Sequence, residues 1–144
     1  MKNMSKEFIF KKLKQIATLI SEMEEIIFIP FSEFKKKFVN VRSAERNFQL
    51  IVEQACDINN HILLETGHET PDTYRASFTG LEKIGILENK ISKELVRSAN
   101  LRNILIHEYD FDQDNFIFYK SVKKFMPVYK EYIIAIQKYL NKKS

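Results

Sequence analysis

A chain of 144 residues has the size of one domain with its own hydrophobic core, which argues against a multidomain enzyme. Three glycines, three prolines and no tryptophan, beside 44% apolar and 29% charged residues, exclude both an all-β sandwich and a disordered chain. The net charge of +4 sits in the second half, with 10 basic against 11 acidic residues over 1–72 and 13 against 8 over 73–144. That balance is compatible with a polyanionic partner and too mild to demonstrate one.

Cys56 is the single cysteine, so no internal disulfide forms and no oxidising compartment is required. Lysines interrupt the apolar residues of 1–19, unlike a signal peptide, and the longest apolar run, 26–31, is far short of a membrane span. A cytoplasmic protein without membrane attachment is expected.

Ile9, Leu13, Ile16, Ile20, Met23 and Ile27 recur in steps of four and three, predicting a first bundle helix that ends before Pro30. Phe31, Phe34 and Phe38 then punctuate a lysine-rich segment that reads equally as a short helix or an ordered loop. Val41, Ala44, Phe48, Ile51, Ala55, Ile58 and Ile62 predict a second long helix, with Asn40 as N-cap and Gly67 as its stop. After the turn-forming stretch 67–73, Phe78, Leu81 and Ile84 predict a shorter third helix over 74–86. A fourth begins near Ser92, carrying Leu95, Val96, Ala99, Leu105 and Ile106. A fifth carries Phe118, Val122, Phe125, Tyr129, Tyr132, Ile136 and Tyr139, and its interior Pro127 predicts either a bend or a separate preceding turn. The fold class expected is an all-α, antiparallel up-and-down bundle of about five helices, with residues 1–144 as a single domain.

The fourth helix breaks its own pattern. A seam through Ile91, Leu95, Ser98, Arg102, Leu105 and Tyr109 places a guanidinium where the other helices place an aliphatic side chain. An unpaired buried charge costs several kcal/mol, so this arginine must meet a carboxylate, a phosphate or solvent. Asn103 and His107 are four apart on one face, and Glu108, Asp110, Asp112 and Asp114 follow. Arg102 and His107, five apart, lie about 140° around an ideal helix and converge only if both lean into a shared cleft or the helix ends near His107. A fixed cationic fork beside an imidazole that titrates near neutrality suits metal-independent RNA cleavage, in which arginine stabilises the phosphorane and histidine moves a proton. The same pair also fits a salt-bridged surface feature.

Arg102-Asn-Ile-Leu-Ile-His107-Glu-Tyr109 resembles the Arg-x4-His-x-Tyr signature of HEPN-domain toxins of the HepT kind. Asn40-Val-Arg-Ser-Ala-Glu-Arg-Asn47 with Ala55-Cys-Asp57-Ile-Asn-Asn-His61 resembles that family's second helix. Pro71-Asp-Thr-Tyr74-Arg-Ala-Ser-Phe78, with Leu81 and Gly85-Ile-Leu87, resembles its third. The resemblance implies a homodimer whose Arg102 and His107 line an interfacial cleft, acting as a metal-independent endoribonuclease on tRNA or mRNA without a cofactor. It also implies that Asn103 orients substrate or His107, and that a cognate minimal nucleotidyltransferase antitoxin modifies Tyr109 with AMP. The alternative implied by the same family is a companion subunit of the nucleotidyltransferase with no hydrolytic activity.

Other features carry weaker signals. Asp57 shares a polar face with Arg46 and Glu53, either solvated or turned toward a second subunit to pair with the cleft arginine; Glu53 and Asp57 would repel unless a cation lies between them. His61, Glu65 and nearby His68 lack a fourth ligand, and no metal site is expected. Cys56 reads as a packed side chain. The run Lys35-Lys36-Lys37 between Phe34 and Phe38 reads as a solvated charge run, with RNA contact as the minority alternative. Tyr119, Tyr129, Tyr132 and Tyr139 read as core or interface residues.

Overall fold

The computed structural model describes the backbone of residues 3–107 and 111–142 and the side chains of 5–106 and 115–142. Six helices follow one another among these residues: α1 (Asn3–Ile27), α2 (Phe31–Phe34), α3 (Phe38–Glu65), α4 (Tyr74–Lys83), α5 (Asn89–His107) and α6 (Phe111–Lys142). The all-α bundle is as expected, with the short α2 as a sixth helix. α1 packs on α3 and α6, while α4 packs on α3 and α5, and α5 closes against α6.

Periodicity builds the core as predicted. Ile9, Leu13, Ile16, Ile20, Met23 and Ile27 of α1, and Val41, Ala44, Phe48, Ile51, Ala55, Ile58 and Ile62 of α3, are all buried. Pro30 ends α1 because the residue before a proline is pushed out of the helical region, and Pro30 itself (φ −55°) precedes the single turn of α2. That turn resolves the ambiguity over 31–38. Phe34 drops fully into the core, and Phe31 holds α2 against α6 through ring contacts with Phe116 (4.9 Å) and Tyr119 (5.3 Å).

Three boundaries differ from the sequence reading, the simplest being that α5 starts at Asn89, ahead of Ser92. α3 starts at Phe38 with Lys37, not Asn40, in the capping position, and Lys37 contributes no side-chain cap. The Lys37 carbonyl accepts from the amides of Asn40 and Val41, so the first turn closes on backbone alone. α4 ends at Lys83 because Gly85 (φ +84°) reverses the chain: the amides of Gly85 and Ile86 bond back to the carbonyls of Glu82 and Leu81. Gly67 (φ +83°) ends α3 in the same way, as its position predicted. α6 runs unbroken through Pro127, which excludes a separate preceding turn; Pro127 is exposed, as is Lys123, whose carbonyl it cannot satisfy.

A chain of buried polar contacts crosses the bundle. The Tyr132 hydroxyl lies 2.6 Å from Asn59 Oδ1, to which it donates, and 3.0 Å from the Ala55 carbonyl. Asn59 Nδ2 donates to Ser77 Oγ (3.0 Å), and Ser77 donates in turn to the Tyr74 carbonyl (2.7 Å). Ser98 and Tyr129 form a second buried pair at 2.6 Å between α5 and α6. These contacts keep Tyr129 and Tyr132 in the core, as the sequence reading holds, and tie the start of α4 to α3 and α6. Asn59→Ala removes one of two partners from each of the Tyr132 and Ser77 hydroxyls, which keep the Ala55 and Tyr74 carbonyls, and is expected to cost about 1–2 kcal/mol, read as a lower midpoint in urea unfolding with unchanged slope.

Candidate active site

α5 carries the polar break in its seam to the surface of the bundle. Leu95, Ser98 and Ala99 are buried and Leu105 nearly so, and Arg102 occupies the same face with its side chain 16% exposed. The compensation required of a seam arginine comes from inside the chain. Nη2 of Arg102 lies 3.2 Å from Glu53 Oε2 of α3, and Nη1 lies 3.3 Å from Asn103 Oδ1. The guanidinium carbon stands 4.5 Å from the centroid of the Tyr74 ring, the first residue of α4. The buried Nε has no partner among the described residues.

Glu53 and Tyr74 are the members that sequence reasoning missed. Glu53 is separated from Arg102 by 49 positions, and its only sequence signal is membership of the like-charged pair with Asp57. Tyr74 gives no chemical signal in its own segment. Its placement follows from the start of α4: Thr73 is extended (φ −127°) and its hydroxyl accepts from the Ala76 amide at 3.1 Å. Burial pushes the Tyr74 phenol above its ordinary range, opposed by the charge of Arg102 and seconded by that of Glu53.

Asp57 lies elsewhere. Its carboxylate pairs with Lys12 of α1 at 3.1 Å and stays half exposed, and Arg46 donates to Gln49 instead of bridging the two acids. Repulsion between Glu53 and Asp57 is relieved by two different cations, one from α5 and one from α1. α5 is described as far as His107. The His107 side chain and residues 108–110, with Tyr109, lie outside the described residues, as do the side chains of Asp112 and Asp114.

The remaining candidates resolve into packing. His61 stacks on Phe8 (ring centroids 4.7 Å apart), Glu65 accepts from Ser5 (2.9 Å), and His68 Nδ1 contacts the Thr66 hydroxyl (2.9 Å). Among the described residues no group of three or more His, Cys, Asp or Glu side chains is placed to hold a metal ion. The run at 35–37 keeps only Phe38 exposed beside it, since Phe34 belongs to the core. Among the described residues no helix is long and apolar enough to cross a membrane.

With this geometry in hand, comparison with known proteins is specific. The profile of the family described as "Ribonuclease HepT-like" matches residues 16–136. A protein of Aphanizomenon flos-aquae named "tRNA nuclease HepT" is 30% identical over 140 residues, covering 97% of this chain and 95% of that one. Among solved structures, a MntA–HpeT toxin–antitoxin crystal structure is similar with a TM-score of 0.82 and 26% identity, covering 92% of this chain and 98% of that chain. The tri-AMPylated Shewanella oneidensis HEPN toxin in complex with MNT antitoxin gives 0.66 and 26%, covering 91% and 99%.

Cys56, one residue before Asp57, is buried against the Tyr74 carbonyl (Sγ to O 3.9 Å), and burial pushes its thiol up to about 12. The folded protein at pH 8 is expected to resist alkylation by iodoacetamide and to react stoichiometrically once unfolded. The folded thiol holds its proton more tightly than the unfolded one, so stability falls as pH rises from about 9 toward 12.

Proposed function

The chain belongs to the ribonuclease HepT-like family, and from that premise we propose that it is the toxin of a HEPN/nucleotidyltransferase pair, a metal-independent endoribonuclease acting on tRNA or mRNA in the cytoplasm. The observation that carries this reading is the guanidinium held in the seam of α5, five residues before His107. Bulk packing has no use for a charge there, and among the described residues the carboxylate paired with it contributes a single oxygen at 3.2 Å, so donors remain for a phosphate.

In the proposed reaction Arg102 binds the scissile phosphate and stabilises the charge that grows on the phosphorane. His107 takes the proton of the attacking 2′-hydroxyl or gives one to the leaving 5′-oxygen, and a second histidine from a homodimer partner supplies the complementary step. Asn103, already within reach of Arg102, orients the guanidinium or the substrate. Asp57, half exposed in its pair with Lys12, is assigned no step in the reaction. The cognate minimal nucleotidyltransferase transfers AMP from ATP to the Tyr109 hydroxyl with release of pyrophosphate, setting a phosphodiester and a bulky nucleoside beside Arg102, where they compete with RNA. The AMPylated toxin among the similar structures supports this regulation.

The deciding assay uses unmodified protein, expressed without its partner and verified by intact mass, incubated with total RNA in EDTA. Wild type is expected to cut, and Arg102→Ala and His107→Ala to lose about 100-fold or more of the rate while keeping the melting temperature within a few degrees. Absence of cleavage by a verified unmodified dimer would replace the nuclease reading with that of a companion subunit. Separately, incubation with the partner enzyme and ATP is expected to add AMP mass to wild type and none to Tyr109→Phe.

A further inference from the structure

Arg102 has a carboxylate on one edge and an aromatic ring beneath it, and the two contacts do different things. The Glu53 and Asn103 contacts hold one nitrogen each, at 3.2 and 3.3 Å, which leaves the guanidinium plane free to hinge about the line through those two nitrogens. A ring with the guanidinium carbon 4.5 Å from its centroid fixes the plane. We propose that Tyr74 is a positioning residue for Arg102, its ring holding the guanidinium in one orientation against Glu53 and shutting water from one face.

The platform is built for this. Tyr74 is the first residue of α4; the residue before it caps the helix through its hydroxyl, and its own carbonyl accepts from Ser77, which Asn59 and Tyr132 hold in turn. A ring at a frayed helix start would not hold a plane. This one stands at the end of a hydrogen-bonded relay anchored in α3 and α6. Partial burial of the phenol and of the guanidinium removes competing water from the contact, which strengthens it. No hydroxyl chemistry is needed, because the contact uses the face of the ring; phenylalanine serves as well.

This inference rests on Arg102 as the phosphate-binding group of the proposed reaction, yet its first readout is independent of cleavage. In the full-length protein, hydrogen exchange of the Arg102 Nε–H is followed by nitrogen-15 NMR, the signal being assigned by its loss in Arg102→Lys. Wild type and Tyr74→Phe are expected to show the same slow exchange, and Tyr74→Leu exchange faster by about tenfold. In the RNA assay Tyr74→Leu is expected to lose about tenfold in kcat with KM changed less than threefold, and Tyr74→Phe to restore wild-type kinetics. Tyr74→Met, whose long flexible side chain fills an irregular gap without a ring face, carries the same expectations if the leucine variant does not fold.

Unchanged exchange and unchanged kcat in folded Tyr74→Leu or Tyr74→Met would overturn the proposal. A phenylalanine variant as impaired as the leucine one would overturn it too, because the hydroxyl would then be the acting group. Protected Nε–H that loosens in Tyr74→Leu, in a wild-type protein that cuts no RNA, would sink the nuclease reading and leave the ring clamp standing.

Discussion

A guanidinium cannot be left dry and alone, and the arrangement of three helices follows from that. Position 102 belongs to the stripe of α5 that faces the bundle, so its charge is drawn toward the interior by the same periodicity that buries Leu95 and Ala99. The bundle answers with a carboxylate from α3 and an aromatic face from α4, leaving the Arg102 side chain 16% exposed and the Glu53 side chain 28%. α3 must present Glu53 at one rotation, and α4 must begin at one place. The second requirement explains why a run of polar side chains is spent in the core: Tyr132, Asn59 and Ser77 pass hydrogen bonds to the backbone of Tyr74 and so fix where that ring stands.

The helices were legible because their burial repeats at the helical period, and because glycine at two sites has no substitute of equal ease at positive φ. Gly67 announces itself by following a long apolar stripe, whereas Gly85 falls inside an apolar stretch and its stop was read past. The capping residue of α3 was misplaced for the opposite reason: Asn40 has the right chemistry, but Phe38 and Val39 enter the helix before it and the backbone closes its first turn without help from a side chain.

Arg102 stood out in the sequence as a violation of pattern, and a violation is visible from one segment alone. Its partners are not. Glu53 and Asp57 are four apart and alike in charge, about 40° apart around an ideal helix, and that small angle sends one to Arg102 of α5 and the other to Lys12 of α1. No property of α3 alone ranks the two. Tyr74 is harder still, since an aromatic at the start of a helix reads as core, and only the packing of α4 against α3 and α5 turns its face toward a cation. The residue types that carry chemistry elsewhere, Cys56, His61 and His68, are absorbed by packing and local hydrogen bonds.

The choice of arginine over lysine at position 102 follows from the geometry of its neighbours. An ammonium is a point charge: drawn to Glu53, it would sit on the carboxylate with little to offer a third party. A guanidinium divides its surface into two faces and several donor edges. In this site one face goes to a ring, one nitrogen to Glu53 and another toward Asn103, so the internal contacts that stabilise the charge do not exhaust its donors. The same residue is thereby neutralised enough to be kept in the seam of a helix and open enough to receive an anion. Those two demands conflict for a spherical cation and are reconciled by a flat one.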